Sequence, residues 1–247
     1  MAEPVIVCKD LSKQFGSFYA VNKISFEVGK GEIFGFLGAN GAGKTTAMRI
    51  LCGLSYPSSG EAMVAGFNVY TQQESIKRNI GYMSQKFSLY ENLSVSENIQ
   101  FFGGIYGLGR QVIKERREDL LKRLGLQNQR DTLVAALPLG WKQKLAFSVA
   151  IFHRPQIVFL DEPTGGVDPV TRRQFWDMIY EASASGITIF VTTHYMDEAE
   201  YCNRISVMVD GKIEALDSPA NLKKQYNAAS IEDVFYLLAR GAKRAAD

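Results

Sequence analysis

Two histidines and three cysteines are all that this 247-residue chain offers to metal-site or disulfide chemistry. Cys8, Cys52 and Cys202 show no paired spacing, and Cys8 and Cys52 lie in apolar strand or helix contexts. That pattern excludes a disulfide framework and a metal site, and it leaves free buried thiols in a reducing cytosol. No apolar run approaches the roughly 20 residues needed to span a bilayer, and Met1-Ala2-Glu3-Pro4 has no signal-peptide pattern. The charges nearly cancel: 28 Lys+Arg against 26 Asp+Glu gives +2, too little to argue for nucleic acid. Long repeats, low-complexity tracts and heptad runs are missing too, which excludes solenoids and coiled coils. What remains is globular, 46% hydrophobic and 22% charged, long enough for one large domain or one domain with a subdomain.

The most informative stretch is Gly38-Ala39-Asn40-Gly41-Ala42-Gly43-Lys44-Thr45-Thr46, which fits G-x-x-x-x-G-K-[ST] at every fixed position. An apolar run, Ile33 to Leu37, precedes it, and a helix-like segment, Ala47 to Leu51, follows. Strand, loop and helix are the context that this motif requires. Gly38, Gly41 and Gly43 let the backbone approach a phosphate with no side chain intervening. Successive N–H groups then form an anion cavity, and the helix N-terminus adds its dipole. Lys44 supplies a point charge for the β- and γ-phosphates of ATP, and the Thr45 hydroxyl is placed to hold Mg2+.

A second apolar run, Ile157 to Leu160, reads as a strand buried on both faces and ends in Asp161-Glu162. Acids at the C-terminal edge of a central strand sit where open α/β sheets bind ligands. Asp161 can reach the Mg2+ shell, and Glu162 can act as base toward an attacking water. A third run, Ile187 to Thr192, ends at His194, which can donate to a γ-phosphate.

Elsewhere, Val5 to Gly66 reads as short strands (Val5 to Cys8, Ile24 to Val28, Ile33 to Leu37, Ala62 to Val64) with turns between them. Residues 86–152 read as helical. Ser94 and Glu97 form a capping-box pattern, and Leu120, Leu121 and Leu124 have helical spacing. Ile205 to Val209 returns to strand, and Ile231, Val234, Phe235 and Leu238 mark a short amphipathic helix.

Taken together, these motifs resemble the nucleotide-binding subunit of an ATP-binding-cassette (ABC) transporter over nearly the whole chain. Phe15 matches the aromatic that stacks on adenine, Gln85 the Q-loop glutamine, and Leu137 to Lys144 the signature segment. Gly165-Gly166-Val167-Asp168 matches the D-loop, and His194 the switch histidine. The resemblance implies an α/β fold: a P-loop RecA-like core sheet with an antiparallel β subdomain and an inserted α-helical subdomain. It implies a single domain over 1–247, with β subdomain and core at about 1–85 and 155–225. The helical subdomain would lie at about 86–154 and a C-terminal helix and tail at about 226–247. Catalytic roles fall to Glu162, His194 and Gln85, and Mg2+ contacts to Thr45, Gln85 and Asp161. Nucleotide contacts fall to Phe15, Gly38, Asn40, Gly41, Ala42, Gly43, Lys44, Thr45 and Thr46. In the opposing subunit the nucleotide would meet Pro138, Gly140, Gln143 and Asp168. Phe15 can also be read as ordinary core beside Phe18 and Tyr19. Phe87, Leu89 and Tyr90 fit either a membrane-partner interface or packing inside the helical subdomain.

The implied activity is ATP binding that closes a dimer, a homodimer by the same resemblance, and ATP hydrolysis that releases it, which together energise a separate transmembrane permease. The implied location is cytoplasmic, peripheral on the inner face of the plasma membrane, with no nucleic-acid partner. Ser230 to Phe235 resembles the tail of the type-two exporter branch. One segment departs from the family. The usual pattern resembles Leu-Ser-Gly-Gly-x-x-Gln, and this chain has Leu137-Pro138-Leu139-Gly140-Trp141-Lys142-Gln143. Proline lacks both hydroxyl and N–H, though it suits the first turn of a helix. The alternatives are a non-transport ABC ATPase, or a nucleotide-binding scaffold with little turnover.

Overall fold

The computed structural model describes residues 4–85 and 89–244, the side chains of 241–244 excepted. Strands β1 (Pro4–Phe15) and β2 (Phe18–Gly29) form a long hairpin, and β3 (Ile33–Gly38) leads through the glycine loop into α1 (Lys44–Leu51). Next come β4 (Ser59–Val64), β5 (Phe67–Asn68), α2 (Gln73–Asn79) and β6 (Ile80–Met83). Three helices follow: α3 (Val95–Ile105), α4 (Arg110–Leu124) and α5 (Leu139–Ala150). The chain then runs through β7 (Ile157–Asp161), α6 (Pro169–Ala184), β8 (Thr188–Thr193), α7 (Met196–Ala199) and β9 (Arg204–Val209). It ends with β10 (Lys212–Asp217), α8 (Pro219–Gln225) and α9 (Ile231–Arg244).

Two sheets result. The antiparallel one has the order β2-β1-β4-β5, and the larger one β10-β9-β3-β8-β7-β6, parallel except where β10 returns beside β9. The period-2 alternation of strands sorts the core onto the faces of the parallel sheet. Phe34, Phe36, Ile157, Phe159 and Phe190 pack on one face with α1 and the hairpin, and Phe26 stacks on Phe34 at 5.5 Å. Ile33, Leu37, Val158, Leu160, Ile189 and Val191 turn to the other face, toward α5 and α6. Both faces are buried, so these strands read as continuous apolar runs.

Register fixes the site. Leu37 pairs with Thr193, and Asp161 pairs with Thr192. The C-terminal ends of β3, β8 and β7 therefore lie side by side, and each carries one of the sequence motifs. The strand β1 runs seven residues past the expected Cys8. It continues through an irregularity at Asp10, whose φ is 48°, a break that alternation reads as an end. The Ser94–Glu97 capping box is present at α3, with both reciprocal hydrogen bonds formed. All three cysteines are free and buried.

Candidate functional site

The glycine loop joins β3 to α1 in a conformation that side chains oppose. Gly43 has φ 103°, and a Cβ there would lie 2.1 Å from the Ala20 carbonyl oxygen. A Cβ on Gly38 would lie 2.5 Å from the Met208 oxygen. Both positions require glycine by contact, and the loop closes as a cradle with Ala39, Asn40 and Gly41 at its exposed rim. Lys44, the first residue of α1, is 4% exposed and folds its ammonium over that cradle. It donates to Gly38 O at 2.7 Å and Ala39 O at 3.1 Å. Burial lowers its pKa, opposed by the nearby carboxylates of Glu162 and Asp161.

Asp161 ends β7 and is buried. Its Oδ1 accepts from Thr192 Oγ1 at 2.6 Å and from Thr45 Oγ1 at 3.1 Å. Burial raises its pKa, and those two hydroxyls work against the rise. Glu162 follows in the left-handed region at φ 49°, an unfavourable place for this residue type. Its N–H is held by both Thr192 O and Thr192 Oγ1 at 3.1 Å. That backbone twist turns the carboxylate toward three other residues expected at the site. Lys44 Nζ lies 3.5 Å from Oε1, Gln85 Nε2 donates to Oε2 at 2.8 Å, and His194 Nδ1 lies 3.1 Å from Oε2. The histidine contact is close but is not aligned as a hydrogen bond, which leaves Nδ1 free to turn to another acceptor.

The residues present fit a nucleotide with its Mg2+. The glycine loop is held in shape by close backbone contacts at Gly38 and Gly43, and Thr45 and Asp161 present two oxygens beside it. Among the described residues no group of three or more His, Cys, Asp or Glu could hold a metal alone. Mg2+ normally keeps waters and phosphate oxygens besides one or two protein ligands, so a two-oxygen site suits it.

Phe15 is 57% exposed at the end of β1, which removes the core reading and leaves a ring face for a flat base. Lys13 Nζ sits 5.1 Å from its centroid. The signature segment differs from expectation in two respects. Helix α5 starts at Leu139, so Pro138 is not in the first turn. It is the residue before it, with an extended ψ of 149° and no side-chain cap. Gln143, expected to face nucleotide, is buried and donates to Gly165 O at 3.1 Å in the same chain. Gly140 admits α6 closely, because a Cβ there would meet Thr171 Cγ2 at 2.5 Å. Asp168 caps α6, accepting from Val170 N and Thr171 N at 3.0 Å. Thr171 Oγ1 bonds it as well, and that bond is the largest cause of its lowered pKa. Leu89 joins the core, whereas Tyr90 lies on the surface against Phe101 at 4.9 Å. Phe87 lies outside the described residues.

A sequence profile described as "ABC transporter" matches residues 21–165, more than half of the chain. The chain belongs to the ABC transporter family. One relative is the "Probable multidrug ABC transporter ATP-binding protein YbhF" of Escherichia coli. It is 47% identical over 223 residues, which is 90% of this chain but 39% of that protein. The chain thus spans about two fifths of that relative's length. The Nod factor export ATP-binding protein I of a Rhizobium species is 36% identical over 95% of this chain and 78% of that one. Among solved structures, the ATP binding subunit of an ABC transporter superposes with a TM-score of 0.85 at 27% identity. That match covers 95% of this chain and 99% of the other. The cbiO1 protein of Clostridium perfringens, part of the ABC transporter complex cbiONQ, gives 0.81 at 26% identity over 91% of each chain.

Sequence reading missed Thr192 and Thr193. Thr192 reads as the end of an apolar strand and Thr193 only as the neighbour of His194, and no pattern in one sequence marks either threonine as a ligand-positioning hydroxyl.

Proposed function

We propose that this chain binds and hydrolyses ATP and thereby energises a separate transmembrane permease, most directly an exporter. The observation that carries the reading is the convergence of Lys44, Gln85 and His194 on the Glu162 carboxylate, within 3.5 Å, beside the glycine cradle. The cradle N–H groups and Lys44 bind the phosphates, and Phe15 orients the base. Thr45 and Asp161 would hold Mg2+, which when bound neutralises charge building on the phosphate oxygens. Glu162 takes the proton of the attacking water, and His194 donates to the phosphate being cleaved. Gln85 links the base to the segment that follows it.

Export is favoured by what its relatives are named for, multidrug transport and Nod factor export, and by the Ser230–Phe235 tail. Two ATPase subunits would close on ATP, each presenting its Leu137–Gln143 segment to the other's nucleotide, with ATP favouring the closed state by differential affinity. Among the described residues no helix is long and apolar enough to cross a membrane. The proposed place is therefore the inner face of the plasma membrane, through the permease. Fractionation tests this: the chain should sediment with membranes only when its transmembrane permease is co-expressed. Membrane association in cells lacking every candidate partner gene would overturn the partner claim. A low-turnover scaffold is the second reading, favoured by Pro138 alone.

A further inference from the structure

Glu198 is completely buried in α7, in a stretch, Asp197-Glu198-Ala199-Glu200, that reads as solvated acid. A carboxylate held in a dry interior requires partners. Its Oε1 accepts a hydrogen bond from Thr164 Oγ1, and its Oε2 accepts one of 2.7 Å from Thr193 Oγ1. Both threonines are buried. Thr164 stands two residues after Glu162, and Thr193 one residue before His194. A third segment joins them: Arg172 Nε of α6 lies 3.6 Å from Oε1. That guanidinium is clamped over the Tyr195 ring at 4.2 Å and against Asp197 at 3.3 Å. One carboxylate therefore ties together the loop after Glu162, the loop before His194 and the helix that Asp168 caps.

We propose that Glu198 is a positioning residue for ATP hydrolysis, setting the separation of Glu162 and His194 through Thr164 and Thr193. This rests on the ATPase reading above. The arrangement favours a carboxylate, because Thr193 needs an acceptor and Arg172 faces the same group. Thr193 Oγ1 already accepts the Tyr195 N–H at 3.0 Å, so its own proton has to go to Glu198. A carboxylate accepts from both threonines at once. A glutamine keeps the shape and can hold Thr193 with its carbonyl, but its NH2 then obliges Thr164 Oγ1 to accept instead of donate and removes the charge that faces Arg172, so the tie to the loop after Glu162 and to α6 weakens. Misplacement of reacting groups by about 1 Å can cost on the order of a hundredfold in rate. The hydrogen bonds and the ion pair of the Glu198 side chain go to Thr164, Thr193 and Arg172 and not to β1, β3 or α1, which carry the phosphate cradle and Phe15, so ATP binding should be spared.

The test is steady-state phosphate release by the full chain with MgATP, in wild type, Glu198→Gln, Thr193→Val and the double variant, beside Glu162→Gln. Glu198→Gln should lower kcat by about tenfold or more and leave KM for ATP within about twofold. Thr193→Val removes only the His194 arm and should do the same if Glu198→Gln folds poorly. The double variant should lose no more than about twice the larger single loss, because both changes cut one link. Wild-type kcat in either single variant, a matching rise in KM, or fully multiplicative losses would overturn the proposal. Turnover that Glu162→Gln abolishes and Glu198→Gln spares removes this proposal alone. A wild-type chain with no turnover removes the ATPase reading and this proposal together.

Discussion

Changing Pro138 to serine and Leu139 to glycine should strengthen ATP-driven dimerisation by at least about tenfold while leaving the fold nearly as stable as before. The backbone at Pro138, φ −57° and ψ 149°, is almost that of Ser218, at −63° and 149°. Ser218 caps α8 by accepting from Asn221 N at 3.3 Å. Serine thus enters position 138 without moving the chain, and its oxygen can share the Trp141 N–H, which now donates to the Pro138 carbonyl at 3.0 Å. A serine cap is worth about 1 kcal/mol over alanine. Losing proline's restraint on the unfolded chain costs about 0.4–1 kcal/mol, so the two effects nearly cancel. Leu139 is partly exposed and packs near Gly166, and glycine there trims a minor contact. The hydroxyl proton remains free to meet a phosphate of the opposing subunit's ATP. A hydrogen bond to a charged group is worth about 1.5–3 kcal/mol, which is tenfold or more in a dimer constant. Analytical ultracentrifugation with MgATP, in a Glu162→Gln background with and without the double change, measures the dimer constant. Urea unfolding measures the fold. Unchanged or weaker dimers at equal stability would refute the reasoning and leave the helix dipole as what caps the nucleotide.

Lys44→Ala should abolish ATP binding or turnover, because it removes the ammonium that folds onto the glycine cradle; ATP affinity measured by calorimetry and found unchanged would contradict the assignment. Phe15→Ala should raise KM for ATP by about tenfold with kcat held, as expected for a stacking contact of about 1–3 kcal/mol. His153 stacks on Tyr106 at 3.6 Å, bonds Ile80 O at 3.1 Å, and has its pKa pushed by burial down to about 4 from 6.5. Below pH 6.5 the unfolded chain takes up a proton that the folded chain refuses until about pH 4, so stability should fall with pH across that window. The loss should be about 1–2 kcal/mol after allowing for solvent around a partly exposed ring. His153→Phe should flatten that slope in thermal melts taken at several pH values, and an unaltered slope would assign it elsewhere.

The legible part of this protein was whatever is carried by composition at fixed spacing. The glycine loop was legible because Gly38 and Gly43 are forced by backbone contacts that no other residue tolerates. The runs ending at Asp161 and His194 were legible because strands buried on both faces are apolar throughout. Less could be read where a residue's task depends on its neighbours in space. Glu198 looks like any surface acid until Thr164 and Thr193, distant in sequence, fold onto it. Gln143 was read as nucleotide-facing, yet the packing of α5 on the D-loop turns it inward. The full length of β1 was hidden by the bulge at Asp10, which breaks the alternation that marks a strand.

The central claim is that Glu162, oriented by Lys44, Gln85 and His194, is the base of an ATP-hydrolysing site. Phosphate release from MgATP by the wild-type chain and by Glu162→Gln, with its membrane partner present and ATP binding measured in parallel, tests it most directly. The account predicts that the variant binds ATP as tightly as wild type and loses turnover by about a hundredfold or more. Full turnover in Glu162→Gln would place the base elsewhere and contradict the account.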